Sequence, residues 1–416
     1  MGEPKASATN ATAPAASIRP ALVLAGCTLA VTVNVITIFN GTLTAFMGPI
    51  AADTGWSRGA ISLGLSLCIL TLLLLGPPVG RLADRIGPWR VVAAGAPLLG
   101  LSVAAIGWIP PIYPLFLAIC AIIGATGALT FTTLYLLVAS RWFDRRLGLA
   151  LGITACGTGI GFMLGPIVTQ ALIAELGWRL AYVALGAIST VIALFAIVLL
   201  IRDRSVEASP SGKVRRTPTG WRSRLFWRLA FIYFLTGIAV NGTIVHLMPV
   251  LTDRGLPSVQ AASLAAIMGG GVMLARLGAG LLLDHVDTGL FGASCFVLGS
   301  AGMGMLIAGP PGALTVAVLM VGIAVGSEGD VLAYITRRLF GGESYGANVG
   351  LMNSCFLTGT LLGPPLNGFL YDFRGSYMLG MGTFSMVMLL AASLHAGVTL
   401  GRPRRAEQAE AAQSIS

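Results

Sequence analysis

The chain has 416 residues, 56% hydrophobic and only 10% charged, with 26 basic and 16 acidic side chains. Soluble domains carry roughly 25% charged residues, so this composition excludes a water-soluble globule and points to a polytopic membrane protein. The net charge of +10 is scattered over loops and tails with no aromatic platform, which argues against a nucleic-acid partner.

Residues 1–20 are rich in Ala, Ser, Thr and Pro and read as a disordered tail. The apolar run that follows is too long for a cleavable signal peptide and leads straight into further spans. A spanning helix needs roughly 20 apolar residues. Twelve such segments are predicted, near 21–50, 59–79, 89–109, 113–139, 147–172, 178–201, 226–250, 259–283, 288–309, 313–336, 345–370 and 376–400. The polar stretch 203–225 divides them into two six-helix bundles, 21–202 and 226–400, and 401–416 forms a second tail. Of the basic residues, Arg58, Arg179, Arg254 and Arg374 fall in loops on one side and Arg276 falls inside a span, leaving 21 of 26 on the side of the termini. The excess of Lys and Arg marks that side as cytoplasmic. The +10 is therefore a matter of topology, and the lipid bilayer is the expected surrounding.

The first span carries Asn34, Thr37, Asn40 and Gly41; polar groups at that depth either bond helix backbone or face a watery cavity. Asn34, Thr37 and Gly41 share a face at three- and four-residue spacing. Next comes Gly80-Arg-Leu-Ala-Asp84-Arg85-Ile-Gly87-Pro-Trp-Arg90, four charges in eleven residues between two apolar runs. Charges of this kind are costly in hydrocarbon, so the stretch is a tight aqueous turn. Gly80 and Gly87 are expected to let the backbone bend and approach, and Pro88 to open the next helix. The pattern G-x-L-x-D-R-x-G-x-x-R resembles the loop between helices 2 and 3 of the major facilitator superfamily. The resemblance implies an all-α membrane protein of twelve helices in two six-helix bundles. It also implies that Gly80, Asp84, Arg85, Gly87 and Arg90, with Arg141 further on, brace the bundles without touching substrate.

The fourth span carries Thr130, Thr132, Thr133 and Tyr135. The run Trp142-Phe143, Arg146, Leu149-Ala150, Gly152, Gly157 and Gly161 is similar to the monocarboxylate transporter branch, including its oxalate/formate antiporter relatives. Gly157, Gly161 and Gly165 repeat every four residues and make a smooth ridge for another helix. The two halves echo each other at an offset near 200: Gly80 and Asp84 with Gly280 and Asp284, and Gly161-x-x-x-Gly165-Pro166 with Gly359-x-x-x-Gly363-Pro364. Parallel repeats of this kind place a substrate site between the halves near the bilayer midplane.

Arg276, Glu328 and Asp330 lie well inside predicted spans at similar depth, where a charge needs a partner or an aqueous cavity. Glu328 and Asp330 are two residues apart, so a helix points them in different directions, although Gly326 and Gly329 are placed to loosen it. Arg276 offers a bidentate fork for a carboxylate. It also stands where the monocarboxylate transporters carry their carboxylate-binding arginine, which implies the same role here. Asn34, Thr37, Asn40, Tyr135, Asn241 and Tyr334 complete the expected substrate site. The branch's proton-coupling lysine falls near Asn40 or Gly41, and its acid one turn before the arginine is Val272. Either Glu328 or Asp330 therefore takes protons, or coupling is by exchange, or transport is uncoupled. Asp330 is preferred because Tyr334 lies one turn away on the same face.

His246 reads as a hydrogen-bonding residue near a helix end, and His285 and His395 as ordinary end residues. Cys27, Cys68, Cys120, Cys156, Cys295 and Cys355 all fall in apolar spans without metal spacing. No catalytic triad, zinc site, nucleotide loop or haem attachment is found, so neither an enzyme nor a cofactor or metal site is expected. The reading is secondary transport of a small organic anion, most of all a monocarboxylate, by a monomeric unit in the plasma membrane (the inner membrane of a bacterium), with a proton as candidate co-substrate. Drug or metabolite efflux is the alternative; a non-transporting receptor on the same fold is the alternative of another class.

Overall fold

The structure, a computed structural model, describes residues 15–140, 142–143, 147–201, 220–283, 285–340 and 345–398. Among these the chain is helical and contains no strand. The first spanning helix, α1, is assembled from Ala15–Thr32, a π-helical turn Ile36–Asn40, and Gly41–Thr54. It begins inside the segment expected as tail, where Ala15 and Ala16 are strong helix formers. Then come α2 (Arg58–Ile86), α3 (Pro88–Trp108) and α4 (Tyr113–Ser140, in pieces Tyr113–Ala128 and Thr132–Ser140). The run Leu147–Ile201 is divided at Gly177, whose φ of 74° and ψ of 165° leave the helical region. That conformation suits glycine alone, and it separates α5 (147–176) from α6 (178–201). The second half comprises α7 (Arg224–Asp253), α8 (Ser258–Leu282), α9 (Thr288–Ala308), α10 (Leu314–Phe340), α11 (Tyr345–Arg374) and α12 (Met378–Ala396). Among the described residues, ten stretches are long and apolar enough to span a membrane. Splitting one at Gly177 makes eleven, and the thirty-residue α11 completes twelve. An even number of crossings brings the first and last described residues, 15 and 398, to one face, here called the terminal face; the opposite one is the far face.

The expected turn at 80–90 is mostly helix. Gly80, Arg81, Asp84 and Arg85 all belong to α2, which runs on past the membrane to Ile86. The break is Gly87 alone, at φ 90° and ψ 139°, with Pro88 as the first residue of α3. Charges need water rather than a loop, and a helix that projects beyond the lipid supplies it. No atom lies within 4 Å of a Cβ built on Gly80, so this glycine serves no close approach. Asp84, Arg85 and Arg90 are exposed. Arg141 and Asp284 lie outside the described residues, as do residues 1–14, most of the linker and the second tail.

Packing follows the internal repeat. α1 rests on α5 and α7 rests on α11, each through the repeated glycines. A Cβ on Gly157 or Gly161 would lie 2.3 or 2.5 Å from the carbonyls of Thr28 or Thr32; on Gly359 or Gly363 it would lie 2.1 or 2.2 Å from those of Phe234 or Ile238. Small residues thus let helix backbones meet where no hydrophobic effect drives them together. The two halves meet along α2/α11, α5/α8 and α1/α7.

Two helices of the first half are broken at one level. Asn34 stands at the break in α1, its Oδ1 accepting from the amides of Ile36 (3.0 Å) and Thr37 (3.2 Å). Its Nδ2 donates to Thr132 Oγ1 at 2.7 Å, at the start of the second piece of α4. Amides freed by each break need a partner inside the membrane, and the asparagine serves α1 while tying it to α4.

Candidate functional site

Two of the seams between the halves, α2/α11 and α5/α8, run antiparallel, and their register can be read from the glycines. On α2/α11, a Cβ on Gly368 would lie 2.6 Å from the Cα of Gly59, and Ser66 Oγ donates to the Leu361 carbonyl at 2.6 Å. On α5/α8, a Cβ on Gly269 would lie 2.3 Å from the amide nitrogen of Met163, and one on Gly159 2.9 Å from that of Met273. Continued toward the terminal face, the same registers set Gly80 opposite Ala347 and Gly152 opposite Gly280. Gly80, Gly152 and Gly280 have no neighbour within 4 Å of a built Cβ. The helices touch from mid-membrane to the far face and diverge toward the terminal face.

Arg276 sits where the divergence begins. It lies about 27 Å along α8 from Ser258 and about 9 Å from Leu282. Register sets it opposite Cys156 of α5. Arg276 Nη1 is 3.6 Å from Asp330 Oδ1 on α10, and the two side chains are 18% and 32% exposed. That distance exceeds an ordinary charge-assisted hydrogen bond. The Nε of Arg276 is buried with no partner among the described residues. The fork is therefore held loosely. The Oε2 of Glu328 is also buried without a partner among the described residues. Gly326 does not loosen α10, which is continuous from Leu314 to Phe340; its missing side chain admits the Val272 carbonyl, 2.4 Å from a built Cβ.

The other expected site residues do not converge on Arg276 as a set. Asn34 and Thr37 are occupied at the break in α1, Thr37 Oγ1 donating to the Asn34 carbonyl at 3.0 Å. Asn40 Nδ2 donates to Asn241 Oδ1 at 3.0 Å, and Asn241 Nδ2 to Thr360 Oγ1 at 2.9 Å, a clasp between α1, α7 and α11. Tyr135 is 2% exposed in an apolar cluster with Val23, Cys27 and Val31. Tyr334 is half-buried against Ala279, Leu283 and Val331 at the terminal end of α8. Polarity at membrane depth marked these residues, but helix-to-helix bonds use most of it. The six cysteines are unpaired, five of them buried and Cys355 half-buried.

Toward the far face the seam carries a polar latch that sequence reading missed. Arg58 of α2 donates to both oxygens of Asp253 of α7, at 2.8 and 3.0 Å, and lies 3.9 Å over the Tyr371 ring. Asp372 accepts from the amides of Arg58 (3.2 Å) and Gly59 (2.9 Å), so α11 caps the start of α2. Beneath it His246, fully buried, reaches the Pro364 carbonyl (2.9 Å), Tyr377 hydroxyl (2.8 Å) and Ser62 hydroxyl (3.2 Å). His246 is thus a link between halves rather than a helix-end residue. These partners are distant in sequence, and no local pattern announces them.

A model of the Major Facilitator Superfamily matches residues 29–356, and the chain belongs to that family. It is 29% identical over 372 residues to Monocarboxylate transporter 11 of Mus musculus, covering 85% of this chain and 80% of that relative. Monocarboxylate transporter 13 of Bos taurus is 29% identical over 311 residues, covering 73% and 72%. The Fujikurins efflux protein of Gibberella fujikuroi is 25% identical over 338 residues, covering 79% and 71%. The protein is an all-α, multi-pass membrane transporter and not an enzyme.

Proposed function

We propose that this protein carries a small organic anion, a monocarboxylate first of all, across the plasma membrane by alternating access, with Arg276 as the counter-charge. The observation that carries the reading is the loosely held guanidinium of Arg276 at the point where the two seams diverge. An anion arriving from the open face meets that fork and competes with Asp330 for it. Once the charges are matched, closing a dehydrated site costs less. The names of two relatives support the substrate class. The terminal face, which bears most of the basic residues, is the cytoplasmic one, so the conformation opens inward.

Asp330 released from Arg276 faces a new anion without its cation. Both changes favour its protonation, so anion and proton travel in the same direction. The test is transport of labelled acetate, lactate and pyruvate into liposomes, with their neutral amides as controls. Arg276→Ala abolishes carboxylate uptake while the protein remains monodisperse; uptake at the wild-type rate refutes the assignment. The second reading, efflux of a larger metabolite, is favoured by the relative that exports fujikurins. It predicts transport indifferent to the carboxylate and to Arg276.

A further inference from the structure

The triplet Asn-Gly-Thr stands at 40–42 in α1 and again at 241–243 in α7, an offset of 201. The two asparagines meet: Asn40 Nδ2 donates to Asn241 Oδ1 at 3.0 Å, and both side chains are buried. In units related by a two-fold axis, a residue touches its own counterpart only beside that axis. The seams agree. The glycine repeats match α2 to α8 and α5 to α11, so the seams α2/α11 and α5/α8 exchange under the repeat, while α1/α7 maps onto itself.

Depth follows from the part of α1 that makes the contact. Its last piece, Gly41–Thr54, lies against α7, whereas Ala15–Thr32 rests on α5 and on the second piece of α4. Asn40 therefore stands at the terminal-side edge of this seam. Farther out, Thr44 Oγ1 accepts from the Met248 amide at 2.9 Å, and the Arg58–Asp253 latch lies beyond.

The surrounding bonds fix how the two amides face each other. Thr360 Oγ1 gives its hydrogen to the Phe356 carbonyl (3.1 Å), so it accepts from Asn241 Nδ2, as does the Gly237 carbonyl (3.3 Å). Asn241 Oδ1 then faces Asn40, which has to donate. Asn40 Oδ1 is left buried with no partner among the described residues. Gly359 repeats Gly161, so Thr360 repeats Phe162. The Phe162 ring lies 2.8 Å from a Cβ built on Gly41. The pair is thus tied to α11 on one side, and on the other meets only an apolar ring where the tie would be.

We propose that Asn40 and Asn241 are the pivot of the transport cycle, a contact between the halves that is kept whether the site opens to the terminal or to the far face. The proposal rests on the alternating-access reading above and not on the identity of the anion. When two rigid bodies rock, contacts part in proportion to their distance from the axis. Surfaces toward the terminal face are already apart, and the latch has to part to open the far face. A bond between the two levels need only turn. The spare Oδ1 of Asn40 gives Asn241 Nδ2 a second acceptor, so the pair stays bonded as the angle changes.

The experiment uses full-length protein without its native cysteines, in liposomes, with labelled lactate as probe. Two cysteine pairs are each joined by a bifunctional thiosulfonate of matched length: Asn40→Cys with Asn241→Cys, and Arg58→Cys with Asp253→Cys. Joining the first pair leaves uptake at the rate of its unjoined form. Joining the second abolishes uptake until a reductant is added. In otherwise native protein, Asn40→Ala removes one hydrogen bond and slows uptake at saturating lactate roughly fivefold, with equilibrium lactate affinity unchanged. The pivot is overturned if joining the first pair stops uptake as joining the second does. It is equally overturned if Asn40→Ala weakens lactate affinity, which marks a substrate contact, or transports at the wild-type rate. If the joined latch pair still takes up lactate, the halves need not part, and alternating access falls together with the pivot.

Discussion

Two Arg–Asp pairs in this protein have nearly the same exposure and opposite character. Arg58 and Asp253 are 19% and 32% exposed; Arg276 and Asp330 are 18% and 32% exposed. Solvent access therefore does not distinguish them. Geometry does. The first pair is bidentate at 2.8 and 3.0 Å, stacks on Tyr371 and joins the two halves. The second is a single 3.6 Å approach within one half, and it leaves the arginine Nε unpartnered. A fully used fork holds a structure together, and a partly used fork is available to a ligand.

The strongest way to break the contrast is to remove each arginine in turn. In the closed, dehydrated site a bound carboxylate left without its cation costs about 2–5 kcal/mol. Arg276→Ala is therefore expected to weaken carboxylate binding by roughly thirtyfold or more, measured by equilibrium binding of lactate to purified protein. Arg276→Lys keeps the charge without the fork and falls between the two. An unchanged affinity in the alanine variant would remove the functional half of the comparison.

Glycines on one helix give the next largest effect. A Cβ on Gly159 meets the backbone of Met273, whereas Gly152, two turns nearer the terminal face, has open space. Overpacking costs about 1–3 kcal/mol, so Gly159→Ala lowers the melting temperature. Gly152→Ala leaves it unchanged or raises it, since alanine favours a helix by about 1 kcal/mol. Equal shifts in the two variants contradict the divergence of the seam.

Arg58→Ala acts on the latch. The expected change is about 1 kcal/mol, because the pair is partly exposed, and it favours the state opened toward the far face. In a cysteine-free background carrying Ser62→Cys, a membrane-impermeant maleimide applied from that face reacts faster once Arg58 is lost. No change in labelling means the latch does not hold the seam. Smallest of all is Asp84→Asn at the projecting end of α2, which leaves lactate affinity intact while altering turnover. A large loss of affinity in well-folded protein counts against a bracing role.

What sequence alone determined here is whatever depends on contact with lipid or on a local repeat. Long apolar runs must become helices, because lipid offers backbone groups no other partner. The glycines of Gly161–Gly165 and Gly359–Gly363 foretold close packing, though not its targets, α1 and α7. Arg276 stood out because a charge at that depth demands an explanation, and Glu328 and Asp330 stood out for the same reason. Tertiary structure decided the rest. Asn34, Thr37 and Asn40 differ little from cavity-lining residues until their partners on α4 and α7 are known. Arg58 looked like a loop arginine until α2 met α7 and α11. His395 looked like an ordinary end residue until α9 and α12 buried it against Tyr233. Polarity inside a membrane is legible residue by residue, whereas the spending of that polarity on another helix or on a substrate depends on which atoms lie opposite, and only the packed chain sets that.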